Sequence, residues 1–276
     1  LRLDLALRHE RVRSEETRFD DVGRQNIAST RDNDLSIWLP GLAARYEIND
    51  AWSLLAGIHR GFSPLGGSAR AWEKPETSIN YELGARYDGP VFLEVIGFFS
   101  DFSNKGESCS NAYPCSNGAT SGTFITGEAV VAGVEVQAGH VFETGEITWP
   151  LSVSYTHSMA EARTDAADRG VLEGDTLASV PKNSLSLRLG AQVGSRWDSY
   201  AVVKYVDEMC VEIGCNREAS NFAQTESFFV VDVGTRYAVT DAVSAFVKVE
   251  NAFDERAIVS RQPDGARPNK PLTAML

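Results

Sequence analysis

The stretch SINYELGARYDGPVFLEVIGFFS, Ser78 to Ser100, decides the fold, because apolar and polar residues alternate on both sides of a short turn. Tyr81 and Leu83 fall on one side of its first half, whereas Glu82 and Arg86 fall on the other, since side chains along a β-strand alternate with a period of two. The stretch therefore predicts a β-hairpin with one apolar and one polar face. Such a hairpin fits a soluble sheet packed on a core, and equally a membrane barrel whose apolar face meets lipid.

Length and composition narrow the class of protein. The chain has 276 residues, of which 43% are apolar, so it fits one large all-β domain or two ordinary domains. Its formal net charge of -12 disfavours nucleic acid as a partner, because nucleic acid binds clusters of Lys and Arg. The longest apolar runs, such as Phe228 to Val231, are far short of the ~18 residues of a membrane helix. A barrel strand needs only about ten residues with every second one apolar.

The alternation predicts twelve strands and almost no helix. The predicted strands cover residues 2–14, 36–47, 52–62, 77–88, 91–102, 128–140, 147–160, 183–193, 197–208, 227–239, 242–252 and 271–276. Short turns and long loops alternate strictly between these strands, so all tight turns lie at one end of the sheet. The predicted long loops are 15–35, 63–76, 103–127, 161–182, 209–226 and 253–270.

This sorting of the connections favours a membrane barrel. Up-and-down outer-membrane barrels join their strands by short turns at one end and long extracellular loops at the other, whereas Greek-key sandwiches mix hairpins with crossovers. The predicted strands also run to about 11 residues, which suits a tilted crossing of the bilayer.

Aromatic residues agree with this interpretation. Trp or Tyr lies within a few residues of each short turn, as at Trp52, Tyr87, Trp149, Trp197 and Tyr237, and barrels carry an aromatic girdle at each interface. The predicted fold class is all-β: an antiparallel up-and-down transmembrane β-barrel of the outer-membrane type, present as a partial barrel of about 12 strands. In the hairpin from Ser78 to Ser100, the lipid-facing residues would be Tyr81, Leu83 and Ala85, and the lumen-facing residues would be Glu82 and Arg86.

Five segments together resemble the C-terminal part of the barrel of TonB-dependent outer-membrane receptors. They are HRGFSP (59–64), KPETSINYELGARY (74–87), VAGVEVQ (131–137), VVDVGTRYAVTDAVSAFVKVENAFDE (230–255) and GARPNKPLTAML (265–276). The ENAFDE part looks like the Asn-Leu-Phe-Asp signature of that family, and RGFSP with KPETSINYELG looks closest to the ferric-citrate receptor subgroup.

The resemblance implies a 22-stranded barrel, an N-terminal plug inside it, and a short plug segment that binds TonB. We therefore expect residues 1–276 to be the C-terminal portion of the barrel, with the plug domain, the N-terminal strands and the final strand not present. The implied function is an outer-membrane receptor and transporter for ferric citrate or a related siderophore in a Gram-negative bacterium, energised by TonB in the complete protein. The implied partners are outer-membrane lipid, the ferric chelate and, through the missing plug, the TonB complex. The chelate would be cargo, and we expect no resident cofactor.

The four cysteines form two local pairs, Cys109 with Cys115 and Cys210 with Cys215, and each pair lies in one predicted long loop. A zinc site would need four clustered ligands, and the histidines lie in predicted strands away from these loops: His9, His59, His140 and His157. We therefore predict two disulfides in an oxidising compartment, and no metal site.

Catalysis has little support in the sequence. HSMAEARTD brings His157, Ser158 and Asp165 near one another in sequence, but nothing orients them as base, nucleophile and orienting acid. The carboxylates of the predicted strands are spread over separate strands, which favours lumen lining or plug contacts over paired acid and base roles. They are Glu82, Glu94, Glu135, Asp232 and Glu250. We predict no catalytic residues and no enzyme activity.

A negatively charged ferric chelate would need Arg or Lys donors, and Arg suits bidentate recognition of a carboxylate. Arg60, Arg70 and Lys74 flank or lie in the loop after the RGFSP segment, together with Trp72. These four residues are the predicted substrate-binding residues. Each of them could equally be an ordinary residue of a solvated loop.

Two other classes of protein stay open. A passive outer-membrane pore or an adhesin could use a smaller barrel, and the sequence preceding Leu1 would separate that alternative from a receptor. A soluble β-sandwich or propeller binding module could also alternate in this way, but the sorting of loops and the aromatic girdle disfavour it.

Overall fold

The structure is a computed structural model that describes residues 1–64, 74–109, 122–165, 170–217, 222–261 and 265–276. These residues form fourteen β-strands and no helix that is long and apolar enough to cross a membrane. The strands are β1 (Arg2–Phe19), β2 (Ile27–Glu47), β3 (Trp52–Ser63), β4 (Glu76–Asp88), β5 (Phe92–Cys109), β6 (Gly122–Thr144), β7 (Ile147–Ala162), β8 (Asn183–Val193), β9 (Trp197–Val206), β10 (Phe228–Ala238), β11 (Ser244–Glu250), β12 (Ile258–Ser260), β13 (Arg267–Pro268) and β14 (Thr273–Met275).

Twelve of these strands form one antiparallel sheet in the order β1 to β11 followed by β14. Each strand pairs with its neighbour in sequence except at β14, because β12 and β13 form a separate two-stranded hairpin. The first and last strands of the sheet, β1 and β14, are not paired with each other. The sheet is therefore an open, partial up-and-down barrel, which confirms the predicted fold class.

The predicted short turns lie between the strands as expected, at residues 48–51, 89–91, 145–146, 194–196 and 239–243. Two of them contain a glycine with positive φ, Gly145 at 62° and Gly194 at 52°, a conformation that costs glycine little because it has no Cβ atom. The longer connections all lie at the opposite end of the sheet.

The long loop predicted at 15–35 is wrong over most of its length. Strand β1 continues to Phe19 and β2 begins at Ile27, so the two strands form a long hairpin that is paired almost to its tip. The apolar alternation on which the prediction rested ends there, because charged residues replace apolar ones on the outward side. Arg11 and Asp34 form two hydrogen bonds, of 3.0 and 2.5 Å between Nε and Oδ1 and between Nη2 and Oδ2.

Two further predicted loops also contain strand. Strand β5 extends to Cys109 and β6 begins at Gly122, inside the loop predicted at 103–127. The loop predicted at 253–270 contains β12 and β13, and the last predicted strand, 271–276, is reduced to β14. The paired hydrogen bonds of the backbone, which the side-chain pattern does not report, set these strand ends.

The pairing register aligns one apolar face across the sheet. Leu42 of β2 lies opposite Ile58, Ile58 opposite Tyr81, Tyr81 opposite Phe99, and Phe99 opposite Ala132. Directly paired residues of antiparallel strands point to the same side. Leu83 on this face is 70% exposed in the chain alone. This outer face matches the prediction that Leu83 and its neighbours of the same parity meet lipid.

The other face of the sheet is polar and concave. A row of paired residues crosses it from β3 to β9: Ser53, Arg86, Glu94, Gln137, Ser154, Ser186 and Lys204. A hollow of about 600 Å³ lies against this inner face, and Glu82, Arg86 and Glu135 are among its lining residues. Because the hollow is on the polar side, this side corresponds to the predicted lumen.

Aromatic side chains line the outer face beside the short turns. The rings of Trp52 and Tyr87 lie 5.0 Å apart between centroids. Trp149 donates its indole N–H to Thr144 at 2.6 Å. Trp149 thus presents an apolar ring with a satisfied polar group, which is the arrangement that suits a membrane interface.

Asn251, at the end of β11, fastens the last strands together. It is 2% exposed and has a φ of 51°, in the left-handed region that Asn tolerates better than most residues. Its side-chain amide donates to the carbonyls of Glu255 and Lys270, and its side-chain oxygen accepts from the Glu255 N–H, each at 2.9 Å. Its own backbone N–H donates to Asp232 of β10 at 2.9 Å.

The face assignment makes a directional prediction. Leu83→Arg should lower the free energy of unfolding by about 2–4 kcal/mol, the cost of an arginine at the lipid face near the bilayer midplane. Arg86→Leu, on the inner face of the same strand, should be milder. Heat-modifiable mobility of the barrel, refolded in vesicles, measures both effects. A larger loss for the inner-face variant would overturn the assignment of the faces.

The Asn251 contacts predict an order among substitutions. Asn251→Gly keeps the backbone conformation and loses the side-chain hydrogen bonds, which should cost about 1–3 kcal/mol because buried partners are left unsatisfied. Asn251→Ala should cost about 1–2 kcal/mol more, since a Cβ atom is disfavoured at positive φ. Urea unfolding of the vesicle-inserted barrel checks this order, and equal stability of the two variants would contradict the role given to φ.

Candidate functional site

The predicted substrate-binding residues do not come together in the described part of the chain. Arg60 of β3 lies opposite Ile79 and two residues after Ile58, so it shares the outer face with them. Lys74 is exposed just before β4. Arg70 and Trp72 lie outside the described residues. The outward position separates Arg60 from the lumen, and ligand binding by all four residues stays a prediction.

The segment next to Lys74 is fastened to the neighbouring strand by Glu76. Its carboxylate accepts from Lys105 Nζ at 3.1 Å and from the Gly106 N–H at 3.0 Å. These residues follow Asn104, which has a φ of 57° and lies at a register shift in β5. The bulge and the carboxylate together fix where β4 begins, and so where the exposed Lys74 leaves the sheet.

Cys210 and Cys215 are joined by a disulfide, with their Cα atoms 5.6 Å apart. Both cysteines are buried together with Ala223 in one small cluster. The backbone on either side is also paired, since the Val211 N–H donates to Ala223 at 2.8 Å. The disulfide therefore closes a compact loop between β9 and β10. The other predicted bridge lies outside the described residues, because Cys115 and the Cys109 side chain do.

The connection between β7 and β8 folds back along the last residues of β7, which lie beyond the pairing with β8. Glu161 and Thr176 form an isolated antiparallel bridge, and the Leu177 N–H donates to the Ala160 carbonyl at 3.0 Å. Leu177 is 3% exposed and packs on Ala129 and Ala160. Ala129 lies opposite Phe102, on the inner face, so the connection covers the inner side of the barrel wall near its mouth.

The β9–β10 loop lies against this connection. The Gly214 N–H donates to the Thr176 carbonyl at 3.0 Å, and the Ser179 N–H donates to the Cys210 carbonyl at 2.8 Å. Asp175 and Arg217 form an ion pair between the two segments. The two connections therefore make one assembly at the mouth, which we call the inner loop layer: residues 170–180 with residues 209–217.

The residues of the HSMAEARTD segment are not arranged for catalysis. His157 and Ser158 are consecutive on β7 and therefore point to opposite faces. His157 lies on the outer face, where its Nδ1 is 2.9 Å from the side-chain oxygen of Asn183. Asp165 instead accepts a hydrogen bond from the Glu173 N–H at 2.8 Å. A nucleophile and a base on opposite faces cannot meet.

The carboxylates predicted to line the lumen lie on the inner face, and several have cationic partners. Arg86 Nη2 lies 2.5 Å from Glu94, and Lys204 Nζ lies 3.2 Å from Asp232. These pairs join neighbouring strands across the polar face. Their position and pairing suit a wall that contacts another polar surface, which agrees with the predicted lumen lining.

Sequence reasoning missed Asp175 and Arg217, although they form an ion pair at the mouth, in which the acid is buried and the arginine is exposed. Neither lies in a motif, and the two residues belong to different loops, so no local pattern links them. The isolated bridge at Glu161 that positions Asp175 is likewise too short to appear as a strand signal.

The chain matches the family model described as TonB dependent receptor-like, beta-barrel, over residues 1–252. It therefore belongs to the family of TonB-dependent receptor barrels, whose members are receptors and transporters of the outer membrane in Gram-negative bacteria. The outer face of the sheet is accordingly the lipid face, and the long connections are extracellular. The alternative of a soluble sandwich or propeller is wrong for this chain.

Among curated proteins, the chain is 25% identical over 242 residues to the iron-regulated outer membrane virulence protein of Vibrio cholerae, covering 78% of this chain and 35% of that protein. Among solved structures, it is similar to the ferric yersiniabactin uptake receptor FyuA from Yersinia pestis, with a TM-score of 0.75 and 21% identity over 99% of this chain and 42% of that one. The unliganded ferric citrate transporter FecA gives a TM-score of 0.73 and 19% identity, covering 99% and 41%. The chain thus spans about a third of the length of that curated relative.

The cysteine geometry gives a direct chemical prediction. Peptide mass mapping of the unreduced protein, purified from the outer membrane, should find Cys210 linked to Cys215, because their close approach and the oxidising compartment both favour the bond. We expect Cys109 to be linked to Cys115 in the same map. Free thiols at Cys210 and Cys215, or links between the two pairs, would contradict the local pairing.

Proposed function

We propose that the complete protein carrying this chain is an outer-membrane receptor that binds a ferric chelate outside the cell and imports it with energy from TonB. Membership of the TonB-dependent receptor barrel family over residues 1–252 is the observation that carries this proposal. The printed names of the similar proteins add support, since one is iron-regulated and another takes up ferric yersiniabactin.

The inner face supports the energised part of the proposal. A barrel of this class that transports rather than leaks must be filled, and the family resemblance assigns that role to a plug. The polar row of the inner face, with Arg86 bound to Glu94 and a hollow in front of it, is suited to a polar, exchangeable contact. A plug held by such hydrogen bonds can move without exposing apolar surface.

For the chelate itself we propose an anionic complex with carboxylate groups, such as ferric citrate. The RGFSP and KPETSINYELG segments resemble the ferric-citrate subgroup, and Arg70 and Lys74 would supply cations near the extracellular rim. The likeness to FecA concerns the fold alone, since FyuA matches about equally well. The proposed chelate class therefore depends on the side chains, and these can be tested.

Uptake of labelled iron tests the function. The complete protein, expressed in iron-starved cells that lack their own receptors, should import iron from ferric citrate only when TonB is present. A TonB-deficient strain with the same amount of receptor in its outer membrane is the control. Import that is independent of TonB would favour the passive pore, and binding of no ferric chelate at all would contradict the receptor.

The predicted cations are tested by titration of the purified complete protein with ferric citrate. Arg70→Ala combined with Lys74→Ala should weaken binding, and more so at low salt, because attraction between partly exposed charges is screened. Arg11→Ala combined with Arg13→Ala removes the same charge from the outward side of the β1–β2 hairpin and is the matched control. Equal losses in both double variants would show a long-range charge effect, and an unchanged affinity would remove Arg70 and Lys74 from the site.

A further inference from the structure

An exposed arginine is fixed by a buried acid in the inner loop layer. Arg217 Nε lies 2.7 Å from Asp175 Oδ1, and the two side chains are 42% and 2% exposed. The second carboxylate oxygen of Asp175 accepts from the Leu172 N–H at 2.7 Å. Arg217 Nη2 also donates to the Gly170 carbonyl at 2.6 Å. The guanidinium is thus held at two of its nitrogens, on a side chain that stays exposed to solvent.

The register places this arginine on the lumen side of the barrel wall. Because Glu161 pairs with Thr176, Asp175 points to the same side as Ala162 of β7. Ala162 lies opposite Ala129, which lies opposite Phe102 on the inner face. The carboxylate that Arg217 contacts is therefore directed inward.

The guanidinium keeps donors for a further partner. An arginine has five N–H groups in a planar fork, and the contacts to Asp175 and Gly170 engage two of them among the described residues. The remaining donors lie on a side chain whose orientation is already set. Binding to such a group loses less side-chain entropy than binding to a mobile lysine or arginine.

We propose that Arg217 is a ligand-binding residue at the mouth, and that it takes a carboxylate group of the chelate. This inference rests on the proposed function and names a contact on the extracellular side of the lumen. A carboxylate matches the planar fork, which can offer it two parallel N–H groups. Asp175 is then a positioning residue, because it is buried behind the guanidinium and does not reach the ligand itself.

Arg217→Lys separates the contribution of the planar N–H groups from that of the positive charge. The lysine can still pair with Asp175, but it is a point charge without the planar donors. In the complete protein this variant should weaken ferric citrate binding about tenfold, the effect of losing one hydrogen bond to a charged group. Its affinity for a neutral ferric hydroxamate should not change. Arg196→Lys, at the short-turn end of the barrel, is the matched control and should leave both affinities unchanged.

Asp175→Asn tests the positioning role, because charge and orientation predict opposite changes in the affinity for the chelate. The substitution removes a negative charge from the mouth, so charge alone would strengthen the binding of an anionic chelate. If orientation of Arg217 matters, ferric citrate should instead bind several-fold more weakly. A mass map that retains the Cys210–Cys215 bridge in each variant shows that the loop is still closed.

Each other outcome contradicts part of the inference. An unchanged citrate affinity of Arg217→Lys would remove Arg217 from the site, and an equal loss for the neutral hydroxamate would show that the pair only shapes the loops. Tighter citrate binding by Asp175→Asn would overturn the positioning role. If the unaltered protein binds neither chelate, the proposed function itself fails, and this result is distinct from the selective effects of the variants.

Discussion

The alternation of side chains, kept in register across twelve paired strands, is the constraint on which the rest of this structure depends. Within the hydrocarbon layer every backbone N–H and C=O group must be paired, and the side chains that point outward must be apolar. A slip of one residue in any pair would turn the whole of that strand inside out. The row from Leu42 to Ala132 shows that the register carries one lipid face unbroken from strand to strand.

The kind of side chain that points outward changes where the β1–β2 hairpin leaves the membrane. The rings of His9 and Trp38 lie on the outward side with their centroids 4.5 Å apart and their planes tilted by 42°. Beyond them that side carries charged residues such as Arg11. On the inward side, Ile37 is 8% exposed. Just above the lipid, water covers the outward side, so Val12, Leu35 and Ile37 point inward there, as apolar residues of a soluble sheet do.

This inversion explains which features the sequence could predict. Apolar alternation located the membrane-crossing parts of the strands and the short turns, but it stopped at the rim, and the prediction stopped with it. The outward position of Arg60 was available from its parity with Ile58, because counting by two along β3 is sufficient. The pair of Asp175 and Arg217 was not available, since it depends on how two loops dock, and no periodic pattern records a contact between loops.

The lipid boundary also determines where recognition can occur. Below the rim the outer face is committed to lipid, and the inner face is occupied by paired charges such as Arg86 with Glu94. Above the rim, the connections that turn inward can present polar side chains to a ligand while Leu177 anchors them on the wall. A buried acid behind an exposed base, as in Asp175 with Arg217, keeps such a side chain oriented at the water-filled mouth, where a mobile one would lose more entropy on binding.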